Sequence, residues 1–252
     1  MSNSAVSATP EPVPSKSFVA RLVGVFFSPG ETFADVARRP DFIIPLLIMV
    51  VLSVAGTEAF MARIGMEPVI RWALEHSSRT ASMSPDQLEQ TITRVAAFQS
   101  IAARVGSVVA VPLVALIVAL VGWAAVKIIF GLEMRFKVAF SVTAYAGLVG
   151  IVGAIMTIAL IFFGDPQHAI SNPQNLSPNS LGFFLNPVET SKPLLALAGS
   201  LDVFTIWYLV LLGLGFSEAT GRKAKFISVF SIYLGLWLVW VILKMGLSLL
   251  GS

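Results

Sequence analysis

Residues 105–126 read VGSVVAVPLVALIVALVGWAAV, 22 residues without a charged side chain. A helix of that length rises about 33 Å, enough to cross the ~30 Å hydrocarbon core of a bilayer. Four further runs share the pattern, at 42–57, 138–164, 193–217 and 226–252, broken only by Asp202 in the fourth and Lys244 in the fifth. The shortest, 42–57, extends past Glu58 through Ala59, Phe60, Met61 and Ala62, with the carboxylate at headgroup depth. These runs predict five membrane spans at about 42–61, 105–128, 138–163, 194–216 and 226–249. The expected fold is all-α, a polytopic membrane bundle of five transmembrane helices with an N-terminal interfacial amphipathic helix pair.

Composition agrees. The chain is 56% apolar and 12% charged, with a mean hydropathy of +0.84, whereas soluble domains are about 45–50% apolar and about 25% charged. A soluble fold could not cover its surface with so few ions, and a disordered chain would lack this apolar excess. The net charge of +3 has a topological cause. If the N-terminus is cytoplasmic, the inner segments 1–41, 127–137 and 218–225 hold ten Lys and Arg in 60 residues, and the outer segments 58–104 and 165–192 hold six in 75. That bias places the N-terminus inside and the C-terminus outside, and with no basic patch on one face it excludes a nucleic-acid partner. The first span follows a 41-residue leader without a cleavage pattern, so no cleaved signal peptide is expected.

Residues 1–15, MSNSAVSATPEPVPS, are expected to be a disordered tail, 16–40 cytoplasmic interfacial helices, and 41–252 the membrane domain. Phe18, Val19, Leu22, Val23, Phe26 and Phe27 recur at helical spacing with Lys16 and Arg21 off the stripe. Such a helix either lies on the inner leaflet or packs onto the bundle. Ser28, Pro29 and Glu31 predict a second helix start, and Arg38, Arg39 and Pro40 its end. Ser84, Pro85 and Gln87 repeat the start signature, and Leu88, Ile92, Val95, Phe98, Ala102 and Val105 carry a stripe into the second span, predicting one helix that rises out of the membrane. In the loop 165–192, Leu181, Phe183, Phe184 and Leu185 form an apolar patch expected to lie on the membrane or cap the bundle. Asn175–Ser177 forms a glycosylation sequon followed by Pro178.

The chain has no cysteine and two histidines, His76 and His168, neither with a ligand-type partner at helical spacing. No catalytic constellation, metal site or cofactor motif can be assembled, so a non-enzymatic protein without cofactor is expected. The intramembrane charges stand out, because an ionisable side chain in a span is costly. Depth along the last two spans brings Asp202 within about a turn of Lys244. The readings are an ion pair, an Asp202 carboxylate held by Thr205, Tyr145 or Trp207, a polar cavity for a proton, ion or lipid headgroup, or a Lys244 that extends to the interface. The candidate binding site is therefore Asp202, Lys244, Tyr145, Thr205 and Trp207.

Three stretches resemble the YIP-domain family of five-span membrane proteins: FFSPGETFADVARRPDFIIP (26–45), VTAYAGLVG (142–150), and LDVFTIWYLVLLGLGF (201–216) followed by GRKAKF (221–226). The order Asp202, Phe204, Trp207, Gly213, Gly215, Lys223, Lys225 is similar to the bacterial branch, and Asp41 and Pro45 echo the opening of the first span in eukaryotic members. The resemblance implies five spans, a cytosolic N-terminus and, for eukaryotic members, non-enzymatic roles in vesicle traffic and membrane shaping. Val149 and Gly150 stand where those members carry a proline, and the leader is shorter than their Rab-interacting region. A Rab-type GTPase partner is therefore not expected, and a bacterial inner membrane is. The expected function is organising the membrane or scaffolding membrane partners, with the lipid bilayer and possible membrane proteins or a homo-oligomer as partners. The alternative is a small transporter or lipid scramblase using Asp202.

Overall fold

The computed structural model describes residues 16–77 and 83–250; the expected tail 1–15 lies outside them. Every regular element among the described residues is helical, and the single β-bridge joins Ser180 to Asp202. The longest helix, α5 (Pro85–Ala124), has its start fixed by a capping box: Ser84 Oγ accepts from the Gln87 amide at 3.3 Å and Gln87 Oε1 accepts from the Ser84 amide at 3.0 Å. It ends in a single π-turn at Ala125–Ile129. The expected continuous helix through 88–105 is present, rising out of the apolar layer without a break.

Around it run α3 (Ile43–Arg63), the pair α6 (Phe136–Gly147) and α7 (Gly150–Phe163), and α11 (Phe226–Leu250). With α5, and with α6–α7 taken as one rod, these make four helices long and apolar enough to cross a membrane. Their outward faces carry Phe98, Ile101, Leu113, Ile155 and Trp240 in the open. That surface is tolerable only against lipid.

The fourth expected span departs from a single rod. Segment 194–216 is two helices, α9 (Lys192–Ser200) and α10 (Val203–Ala219), separated at Leu201–Asp202. Asp202 adopts an extended backbone (φ −120°, ψ 131°) and its carboxylate accepts from the Thr205 amide at 2.8 Å. A helix cannot run through a residue that caps the next one. The Leu201 carbonyl and the Val203 amide bond instead to Leu181 and Asn179 of the preceding loop.

Two ends can be distinguished. At one, the polar loops and two short helices, α4 (Met66–Glu75) and α8 (Pro166–Ser171), pack against each other and α4 against the start of α5. There Arg71 grips Glu89 at 2.6 and 3.0 Å, and Arg104 on α5 binds Glu58 on α3 at 2.8 Å. The Glu89 hydrogen bond holds the Arg71 guanidinium above its usual range and the Glu89 carboxyl below its own. The opposite, basic end carries α1 (Phe18–Phe27) and α2 (Pro29–Arg38). The amphipathic stripe divides in α1. Phe18, Leu22, Val25 and Phe26 face the core, while Val19, Val23 and Phe27 are 65%, 50% and 84% exposed. Ser28 precedes α2 with Pro29 in its first turn, but its hydroxyl makes no cap bond and Glu31 pairs with Lys16 at 3.0 Å instead of reaching back.

Candidate functional site

Two polar sites interrupt the apolar interior. The first is centred on Arg21, whose side chain is 4% exposed. On α1 it lies one residue from Leu22 and three from Phe18, so the turn that buries those two buries Arg21 as well. Its Nε donates to Asp35 Oδ2 at 2.8 Å, and Nη1 donates to Asp41 Oδ2 at 2.8 Å and to the Arg39 carbonyl at 3.1 Å. Asp35 also accepts from Arg38 Nη2 at 3.2 Å and from the Lys16 amide at 3.3 Å. Asp41 accepts from the Tyr145 hydroxyl at 2.7 Å, and the guanidinium stands 5.9 Å from that ring's centroid.

Burial alone would raise the Asp35 carboxyl, but hydrogen bonds from Arg21 and Arg38 and the charge of Arg21 outweigh it and hold the group below its usual range. Burial would likewise lower Arg21, and its contacts with Tyr145, Asp35 and Asp41 raise it instead. The cluster ties α1, α2, the approach to α3 and the last turn of α6 together. It also unites two of the three sequence stretches quoted above, since Asp35 and Asp41 belong to the first and Tyr145 to the second. The third joins by packing: a Cβ on Gly215 would meet Phe33 at 3.0 Å and Val142 at 2.5 Å, so α10 approaches α2 and α6 only because that position is glycine.

The second site is a cavity of about 470 Å³ at the Asp202 break. Its origin is a bend in the third span. At Leu148–Val149 the backbone tightens to i→i−3 bonds, Leu148 to Tyr145 and Val149 to Ala146. Below the bend α6 packs on α10; above it α7 turns to α3 and barely touches α10. The gap is lined by Gly147, Gly150, Gly153 and Ala154 on one side and Val111, Val114 and Ala115 on another, with Asp202, Thr205 and Tyr208 closing it. The Asp202 carboxylate accepts a short hydrogen bond from Asn179 Nδ2, and Asn179 in turn accepts from Ser177.

The five expected site residues therefore divide. Asp202 and Thr205 line the cavity together. Tyr145 is fully buried but belongs to the Arg21 cluster. Trp207 is 36% exposed and meets Phe26 edge-on at 6.0 Å. Lys244 forms no ion pair with Asp202; the carboxylate is satisfied by Asn179 and a helix start instead, because the break between α9 and α10 removes Asp202 from the rod on which the pairing was reckoned. Elsewhere, Asn175 is 5% exposed and donates to Asn172, which buries the sequon's asparagine in the folded chain. Asp165 caps α8 through Gln167, and His168 packs on Phe183 at 4.4 Å, which joins two parts of that loop, while Leu181 and Phe184 stay exposed. Among the described residues no group of three His, Asp or Glu is placed to hold a metal ion.

Sequence reasoning missed Arg21 as a site residue. The signal was present in its three-residue spacing from Phe18 on a helix that holds no other basic residue, Lys16 lying before its N-cap.

Long lipid-facing helices around a small polar interior define an integral membrane protein of the helical-bundle class. The Yip1 domain family model matches residues 23–242, and the chain belongs to that family. It is 26% identical over 227 residues to "Membrane protein YknW" of Bacillus subtilis (strain 168), an alignment covering 85% of this chain and 90% of that protein. No solved structure matches the chain.

Proposed function

We propose that this protein is a non-enzymatic organiser of the bilayer or scaffold for other membrane proteins, acting through its N-terminal helix pair at the cytoplasmic leaflet of a bacterial inner membrane. The observation that carries this reading is the Arg21 cluster. By fixing α1 against the bundle, it turns Val19, Val23 and Phe27 outward as one ridge at i, i+4, i+8. A rigid apolar ridge can wedge between acyl chains, whereas a loose helix would follow the lipids. Around it Arg38, Arg39, Lys127, Arg135, Lys137, Arg222, Lys223 and Lys225 are all exposed. Apart from Arg38 and Arg222, which are paired with Asp35 and Glu218, each contributes about 1 kcal/mol of attraction to an anionic leaflet, which supports an inside N-terminus and an outside C-terminus.

The test is lipid order around the protein in phosphatidylglycerol-containing vesicles, read with an interfacial fluorescent probe. Wild type should change the order, and the triple variant Val19→Ser, Val23→Ser, Phe27→Ser should abolish the change while leaving the helical spectrum intact. Equal lipid order for both would overturn the reading.

The Asp202 cavity supports a second reading, a small transporter or lipid scramblase. Vesicle flux of lipids, protons or ions would then be present in wild type and lost in Asp202→Asn; no flux in wild type removes it.

A further inference from the structure

The cavity at the α9–α10 break has features that neither reading uses. Of the hydroxyls on its wall, Thr143 is bonded back to the Ala139 carbonyl at 3.0 Å, the usual fate of a threonine in a span. Thr157, Thr205 and Tyr208 have no hydrogen-bond partner among the described residues for their hydroxyls, and all three line the cavity. The one formal charge on the wall is the Asp202 carboxylate; no Lys, Arg or His contributes to it. Ser177 and Asn179 also line it, bonded to each other and through Asn179 to Asp202, and the remaining wall is apolar, with Met49, Val111, Val114, Ala115, Val149 and Ala154. Polar groups at membrane depth need partners, and here three free hydroxyls lie with a carboxylate held only by neutral donors, beside a slot for hydrocarbon.

We infer that the cavity holds a resident lipid whose headgroup carries a primary ammonium, such as phosphatidylethanolamine, with the ammonium at Asp202 and part of one acyl chain in the glycine-walled slot. Three arguments select this occupant. Charge selects the headgroup, because a carboxylate without a cation on the surrounding wall favours an ammonium and disfavours a purely anionic lipid. Shape selects the chain: the wall runs from Thr143 to Thr157, about 21 Å of path measured along the bent third span. Size selects one molecule, since about 470 Å³ of open groove has the volume of a site for one small ligand and takes a headgroup with part of a chain rather than a whole lipid. The inference goes beyond both readings, because a resident lipid belongs as readily to a scaffold as to a conduit, and its test measures retention rather than flux or lipid order.

The full chain in detergent is equilibrated with equimolar phosphatidylethanolamine and phosphatidylglycerol, passed through size exclusion, and its retained lipid counted by mass spectrometry. Wild type should retain phosphatidylethanolamine about tenfold over phosphatidylglycerol, the size of one charge-assisted hydrogen bond. Asp202→Asn should bring that ratio near one. Asparagine caps helices about as well as aspartate, so this variant removes the charge and keeps α10. Gly150→Phe should lose retained lipid of both kinds: a Cβ there meets no atom within 4 Å, so the ring grows into the empty slot. A double variant Thr157→Val, Tyr208→Phe keeps Asp202 and should lower phosphatidylethanolamine retention, which guards against misfolding of any one variant. Equal retention of the two lipids by wild type, no retained lipid, or an unchanged ratio in Asp202→Asn would overturn the inference.

Discussion

Replacing Arg21 by methionine tests the clamp at its centre. The substitution keeps much of the apolar stem and removes three donations, at 2.8, 2.8 and 3.1 Å. The two carboxylates fare differently. Asp41 is half in solvent and keeps the Tyr145 hydroxyl, so its loss is small. Asp35, at 3% side-chain exposure, keeps only Arg38 at 3.2 Å and the Lys16 amide at 3.3 Å and becomes a poorly compensated buried anion. Breaking a buried pair by removing one partner costs about 3–5 kcal/mol, equivalent to a fall in melting temperature of about 6–20 °C for a chain of this size. Because most of that cost is the stranded charge rather than the lost attraction, Arg21→Met with Asp35→Asn should recover part of it, with a coupling of about 2 kcal/mol. Thermal unfolding of the four proteins in one detergent measures the cycle. Full stability for Arg21→Met, or a double variant as unstable as the sum of the singles, would refute the reasoning.

Other consequences follow from the same geometry. Asp35 is held below its usual range in the folded state, so its contribution to stability is complete above the unfolded carboxyl's titration and is lost as pH falls through the folded value. Unfolding scans in acid should therefore show wild type losing stability where Asp35→Asn does not. Gly24→Leu should detach α1 from α2, because even a Cβ there would collide with Thr32 Oγ1; hydrogen exchange over 18–38 would rise, and unchanged protection would contradict the packing. Asp202→Ala should cost about 0.5–2 kcal/mol through the lost cap, while Asp202→Asn costs less; denaturation that ranks them the other way would place the role of Asp202 elsewhere than at the start of α10.

The bundle was legible because charge is excluded from lipid. Runs such as 105–126 need no tertiary information, and the Ser84–Gln87 box marked the start of α5 within the sequence. What escaped was where a polar residue obtains partners from distant parts of the chain. Asp202 looked like an intramembrane charge because the apolar run passes over it, yet Asp202-x-x-Thr205 is also an N-cap spacing, and Asn179, 23 residues earlier, decides between the two. Tyr145 was singled out for the wrong partner: its hydroxyl serves Asp41, 104 residues away. Helical spacing placed Arg21 beside the apolar stripe, but only packing against α2 and α6 shows that side as the inside. Asp202 and Thr205 were paired correctly because they are neighbours on one helix turn.

In the proposed function, α1 is a fixed part of the bundle with its ridge in lipid. The chain has no cysteine, so a single spin label at Val23 or at Phe27 can be placed cleanly and its collision rates with oxygen and with a water-soluble nickel complex compared in vesicles. The account predicts an oxygen-accessible, nickel-shielded label at both positions, and loss of that contrast when Arg21→Met is added. Labels that meet nickel freely in the otherwise native chain would contradict it.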